Sequence, residues 1–230
     1  MAGDTATRRE FAEESLIERL AVGSQPLEGI GVGLSERVIE IPWVLRRLPD
    51  RGDARVLDIG TAFSPMVYKR LLVRRPHVVE IADLAHAEVL GLRSHIADVR
   101  DLPFADGSFD VATCISTLEH VGMDNTKYSV DSGGGGDVSA LRELARVARV
   151  VLVTVPAGVD ANMGWHWQYA PRTFRRIVDD AGLALERLDV FAHDSPRGWG
   201  PVAEDSVQGR SYGQGAVAAA AIVCAELNRR

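Results

Sequence analysis

Short apolar runs alternate with amphipathic stretches along the chain, and this alternation predicts strands separated by helices. Strands are expected near 54–59, 77–82, 93–97, 109–115, 149–155, 184–192 and 215–226, with helices between most of them. Val56, Leu57 and Ile59 suit a parallel strand covered on both faces. The expected architecture is α/β, a doubly wound and mostly parallel sheet that gathers ligands at the carboxyl ends of its strands. Ahead of it, residues 1–52 carry helical patterns near Glu10–Leu20 and Ser35–Leu48. They are separated by Gly23-Ser24-Gln25-Pro26 and by Gly29-Ile30-Gly31-Val32-Gly33. Ser35 stands as an N-cap. The second helix either contributes to a ligand site or packs Ile39, Ile41, Trp43 and Leu45 on the sheet.

The segment Arg55-Val56-Leu57-Asp58-Ile59-Gly60-Thr61-Ala62-Phe63-Ser64-Pro65 reads as a buried strand running through a glycine turn into a helix that Pro65 opens. Downstream, His77-Val78-Val79-Glu80-Ile81-Ala82-Asp83 ends a strand on a carboxylate, and His95-Ile96-Ala97-Asp98 repeats the arrangement. A polar turn, Asp101-Leu102-Pro103-Phe104-Ala105-Asp106-Gly107-Ser108-Phe109-Asp110, then leads into an apolar strand that exits on Leu118-Glu119-His120.

This order resembles the class I S-adenosylmethionine-dependent methyltransferases, whose members often show D-x-G-x-G-x-G, an acid ending strand two, D-x-x-x-L-P-F-x-D-x-S-F-D and L-E-H. The likeness covers residues 55–156 well and the remainder more loosely, through Tyr169, Phe174 and Ala181-Gly182. Two departures stand out. The second and third glycines of the family loop are Ala62 and Ser64, and the usual glycine pair before strand five is missing from 145–150.

The resemblance implies a Rossmann-like fold of seven strands with a reversed final hairpin. It makes residues 1–52 a helical extension of the domain formed by 53–230, and S-adenosylmethionine the cofactor. Implied cofactor contacts are Asp58 to the tail ammonium, directly or through water, and the Gly60, Thr61, Ala62 and Ser64 loop to the tail or ribose. Asp83, preferred over Glu80, takes the ribose diol, and Asp98 the adenine amino group, with Val99 and Ser116 completing the set. His120 and Glu119 are the candidate base and its partner, although Glu119 could equally cap a helix. Trp165-His166-Trp167-Gln168-Tyr169 either stacks on an acceptor, with His166, Trp167 and Tyr169 as contacts, or anchors the helix beginning near Pro171.

Composition narrows the partners. The chain has 230 residues and is 46% hydrophobic, enough for one sizeable core. A formal charge of −6 argues against partners held through phosphates, so no nucleic acid is expected. Cys114 and Cys224 read as small core residues, no metal ligand set is apparent, and no run is long enough to span a bilayer. A cytoplasmic monomer or homodimer is expected.

Two glycine-rich connections, 121–137 with Asp124 and Tyr128 and 193–215 with Trp199 and Tyr212, read as lids over a substrate. Asp124, Asp131, Asp137, Asp194, Glu204 and Asp205 outnumber the bases nearby, which suits a cationic acceptor. The expected reaction is methyl transfer to an amine or hydroxyl of a small polar molecule, an amino sugar, aminocyclitol or sugar in natural-product (antibiotic) assembly. A non-catalytic cofactor-binding protein, or an O-methyltransferase of another small metabolite, is the alternative.

Overall fold

The computed structural model describes residues 2–85, 89, 91–123, 136–214 and 218–230. Strands β1 (Arg55–Ile59), β2 (Val78–Asp83), β3 (Arg93–Ile96), β4 (Phe109–Ile115) and β5 (Ala148–Pro156) pair in parallel. Two further two-residue strands, β6 (Ala161–Asn162) and β7 (Trp167–Gln168), form a separate hairpin. The main sheet is completed by β8 (Leu183–Asp194), β9 (Gly198–Pro201) and β10 (Ala221–Arg229), with β10 antiparallel to both β5 and β8. Its order is β3-β2-β1-β4-β5-β10-β8-β9. The chain reverses between β1 and β4, so the carboxyl ends of β1, β2 and β4 leave a crevice there.

Helices cover both faces, and the strands alternate their apolar side chains between two cores. Leu57, Ile59, Ala112, Cys114, Val151 and Val153 face α4 (Gly136–Val147) and α5 (Pro171–Asp180). Val56, Ile81, Val111, Ile115 and Leu152 face the other way, toward α1 (Ala2–Val22), α2 (Arg37–Leu45) and α3 (Met66–Val73). In α2, Val38, Ile39, Ile41, Trp43, Val44 and Leu45 are all buried, which explains why so apolar a helix lies flat on the sheet. The longest helix, α1, is polar over most of its length, and no described helix is long and apolar enough to cross a membrane.

The sheet gains an eighth strand where a second lid was expected. The connection from His193 turns at once into β9, and Trp199 is fully buried with its indole N–H donating to the Leu34 carbonyl at 3.1 Å. Ile30 and Trp199 exchange backbone hydrogen bonds, so the glycine-rich segment 29–33 docks on this edge and shields it. Gly198 is required by that approach. Its φ is +80°, and a Cβ there would come within 2.3 Å of the Ile30 carbonyl oxygen. Aromatic residues among glycines mark a docked edge here, because the rings supply the burial and the glycines the close approach. The first expected lid, with Asp124 and Tyr128, lies outside the described residues.

Trp199→Ala is expected to cost about 3–5 kcal/mol of stability in urea titration, the scale for emptying a buried aromatic site. A loss within the scatter of surface substitutions, about 0.5 kcal/mol, would show that this edge carries no packing.

Candidate active site

A buried carboxylate organises the turn after β1. Asp58 accepts hydrogen bonds from the hydroxyls of Thr61 in the turn, Tyr68 on α3 and Thr113 on β4, and only 1% of its surface is exposed. Burial lifts its pKa to about 6 even though these hydroxyls oppose the shift. Asp58 therefore does not line the cleft, and its three hydroxyl partners stand where a direct contact to the tail ammonium was expected. Thr61 is likewise fully buried and committed to Asp58. Ala62 is also turned inward, its N–H donating to Asp83 at 2.9 Å and its carbonyl accepting from Lys69.

Gly60, Phe63 and Ser64 form the part of the turn that lines a cleft of about 350 Å³. Gly60 sits at φ +80°, and a Cβ would fall 2.1 Å from the Thr117 hydroxyl oxygen. Its lack of a side chain leaves the backbone open toward the cleft.

Asp83, at the end of β2, faces the same cleft while accepting from the Ala62 and Ala85 N–H groups. Glu80 does not. It is held within the strand layer by Arg55 at 3.0 Å and His95 at 2.8 Å. Asp98 and Val99 form the next stretch of wall. Burial would raise the Asp98 carboxyl, but bonds from the Arg100 guanidinium and backbone N–H hold it below the usual carboxylate range. At the end of β4, Ser116 adopts φ +40°, the one positive φ outside glycine among the described residues, and its hydroxyl donates to Glu40 at 2.7 Å. Unfavourable backbone at a strand exit beside a cleft is how sites hold a backbone group in place.

Helix α2 supplies residues that the sequence reading passed over. Arg37 lines the cleft, and its guanidinium donates to Glu40 at 3.1 Å. Glu40 is fully buried and also accepts from Thr154 at 2.8 Å. A charged residue one turn after Glu36 inside the apolar run Val38 to Leu45 was the available signal.

Glu119 and His120 point into different spaces. His120 lines the cleft and bonds through Nδ1 to the Trp165 carbonyl at 2.8 Å, which assigns the proton to Nδ1 and the lone pair to Nε2. Glu119 does not line the cleft. Its Oε1 lies 4.0 Å from His120 Nε2, outside hydrogen-bond reach, so the Trp165 carbonyl orients the ring instead.

Behind His120 lies a second chamber of about 70 Å³, lined by Glu36, Glu119, His166 and Tyr212. Arg37, Ser116, His120 and Trp165 form walls common to both spaces. Burial pushes the Glu119 carboxyl well above its ordinary range. Burial, then Glu40, raises Glu36 to about 7 against the pull of Arg37. Burial and the neighbouring His120 lower the His166 imidazole to about 4.

The aromatic cluster divides. Trp165 stacks on His120, with ring centroids 5.1 Å apart, and Trp165 and His166 sit at the site. Tyr169 is buried against Phe174, its hydroxyl toward Asp137 at 3.3 Å, and Trp167 packs on the same core. Neither reaches the cleft or the chamber, because the chain is pinned there by the Tyr169 and Pro156 backbone pairing that starts α5. Trp167 and Tyr169 are thus anchors rather than acceptor contacts.

Residues 74–150 match the family model described as a methyltransferase domain. No protein of curated function matches the chain. Among solved structures, the [4+2]-cyclase SpnF superposes with a TM-score of 0.56 at 15% identity, covering 94% of this chain and 92% of its own. A structure described as a methyltransferase from Bacillus halodurans gives 0.51 at 12% identity, over 83% and 98%. An S-adenosylmethionine-dependent methyltransferase from Thermotoga maritima gives 0.50 at 16%, over 83% and 88%. These likenesses concern the fold. The matched segment is a methyltransferase domain, and the fold around it is the Rossmann-like α/β sheet shared with these structures, whose S-adenosylmethionine-dependent members imply S-adenosylmethionine as the cofactor. One neighbour is named a cyclase, so the fold alone does not fix the reaction.

Glu36 has a folded pKa near 7 against an ordinary 4.5, so it favours the folded state fully below about pH 4.5 and loses that contribution as pH rises through 7. Relative to Glu36→Gln, the wild type is expected to lose up to about 3 kcal/mol of unfolding free energy across this window. Parallel pH dependences of the two proteins in urea titrations would place the Glu36 carboxyl in water.

Proposed function

We propose that this protein is an S-adenosylmethionine-dependent N- or O-methyltransferase acting on a small polar molecule of the amino sugar or aminocyclitol kind. The observation that carries the reading is the convergence of the open Gly60 backbone, the Asp83 carboxylate and the His120 ring on one cleft. When bound, the cofactor supplies an electrophilic methyl group on a sulfonium.

Asp83 keeps lone pairs beyond those given to the Ala62 and Ala85 N–H groups, and in this reading they accept from the ribose diol. Asp98 and the Val99 backbone meet the adenine edge. Gly60, Ser64 and Ser116 fit the amino-acid tail, and Arg37, with donors beyond the one given to Glu40, takes its carboxylate. His120 Nε2 accepts the proton that an attacking hydroxyl or ammonium must lose, while its other nitrogen keeps the ring aligned through the Trp165 carbonyl. Phe63 and Trp165 at the cleft mouth are exposed and offer apolar cover against water.

Titration calorimetry with S-adenosylmethionine, followed by mass spectrometry of methyl transfer to amino sugars and aminocyclitols, tests the whole reading. Binding without transfer to any acceptor would favour a non-catalytic cofactor-binding protein. Asp83→Ala is expected to weaken cofactor binding by about 1.5–3 kcal/mol, the scale of lost hydrogen bonds to a charged group. Unchanged affinity would take Asp83 out of the site. His120→Asn should lower kcat roughly 10²-fold with little change in cofactor affinity, because a base acts in the transition state rather than in binding. Near-normal turnover in that variant would leave catalysis to positioning alone.

A further inference from the structure

The small chamber behind His120 contains buried polar groups that nothing among the described residues satisfies. Among the described residues, Glu119 Oε2 and both ring nitrogens of His166 have no hydrogen-bond partner, although Glu119 is 4% and His166 1% exposed. Leaving such groups unpaired costs about 1–3 kcal/mol each, and more for a carboxylate, so their occurrence together in one cavity makes it a place for polar partners from outside the chain. The Glu36 carboxyl, on the opposite wall, accepts only the Ala219 N–H at 3.2 Å among its described contacts.

The balance of groups selects the ligand's chemistry. Two carboxyls, Glu36 and Glu119, line the chamber with one cation, Arg37, which is already paired with the buried Glu40 behind it. An anion entering would meet carboxyls on two sides. A hydroxyl could donate to one acceptor and would leave the others unpaired. An ammonium has three donors, matching Glu36, Glu119 Oε2 and a His166 ring nitrogen. Rings complete the wall, with His166 and Tyr212 centroids 4.5 Å apart and Trp165 and His166 4.0 Å apart, and aromatic faces favour a cation. Burial pushes the Glu119 carboxyl above its ordinary range, and a cation beside it would act in the opposite direction, favouring the ionised form.

We infer that the chamber binds an ammonium group of the acceptor molecule as a recognition handle, separate from the atom that is methylated. This rests on the methyltransferase reading above. The chamber holds a functional group and no more, and His120, which faces the cleft, separates the two spaces while its ring lies 5.9 Å from that of His166. The handle and the reacting nitrogen or oxygen must then sit on neighbouring carbons of one small molecule, as in a vicinal amino alcohol or diamine.

The test uses the full chain. Calorimetry with S-adenosylhomocysteine first decides whether a cofactor site exists, and its failure would remove the methyltransferase reading alone. Ligand-observed NMR then compares 2-aminocyclohexanol with the matching cyclohexanediol and the matching hydroxy acid, with and without S-adenosylhomocysteine. The amino alcohol is expected to bind roughly tenfold or more tightly than either, a difference that one charge-assisted hydrogen bond supplies. Glu119→Gln should erase that preference while keeping a wild-type melting profile, and Tyr212→Phe should retain it. Equal or better binding of the diol or the acid, no binding of the amino alcohol, or a preference that survives Glu119→Gln overturns the inference. Should Glu119→Gln fail to fold, the three-ligand comparison on the wild type still decides.

Discussion

The fold around the cleft depends on one buried carboxylate. Asp58 lies at the carboxyl end of β1, beside Thr113 of β4, and gathers hydroxyl donors from β4, from the turn that follows it and from α3. A carboxyl with no partner there would be costly, and three donors offset that cost while tying a strand pair, a turn and a helix to a common point. The Gly60 turn is shaped by this tether on one side and by Thr117 on the other, so the backbone has little freedom where it borders the cleft. Replacement of the later loop glycines by Ala62 and Ser64 is tolerated for the same reason. Ala62 faces inward toward Asp83 and Lys69, whereas at Gly60 a Cβ would meet Thr117.

Glu40 performs a comparable task for the opposite wall. It joins α2 to the exits of β4 and β5 through Ser116 and Thr154, and it holds Arg37 at the cleft. The N-terminal helical segment is therefore part of the site as well as part of the packing. Its apolar residues fix it on the sheet, and its first turn brings Glu36, Arg37 and Glu40 to the strand ends. The positive φ of Ser116 is maintained because both its N–H and its hydroxyl are engaged from the β5 and α2 sides.

Much of the core was legible because strand periodicity and burial coincide. β1 through β5 fall where the apolar runs lie, and the acids ending β2 and following β3 could be placed at the cleft from their position alone. Asp58 illustrates where that logic stops. An acid at a strand end reads as a ligand contact, yet three hydroxyls close in space turn it inward, and only Thr61 of these is near enough in sequence to be suspected. Residues 165–169 show a second limit. Aromatic residues suit both stacking on a ligand and filling a core, and the choice between Trp165 and Tyr169 was made by backbone pairing with a distant strand. The same ambiguity made Trp199 resemble part of a lid, when its ring fills the core beneath an added edge strand. The contribution of α2 was hidden for a related reason, since its apolar face announced packing and concealed the polar first turn.

Adjacent residues in the Leu118-Glu119-His120 turn carry the final step of the chemical argument. A 3₁₀ turn rotates neighbouring side chains by about a third of a circle, so consecutive residues leave in different directions. His120 enters the cleft, half-solvated and aligned by the Trp165 carbonyl, where a ring nitrogen can exchange protons with a reacting group and with water. Glu119 enters the smaller chamber, where burial pushes its carboxyl well above its ordinary range. A motif that reads as an acid–base pair is thereby split into two environments. The two side chains are held apart, one beside the Trp165 carbonyl and the other against Glu36 and His166.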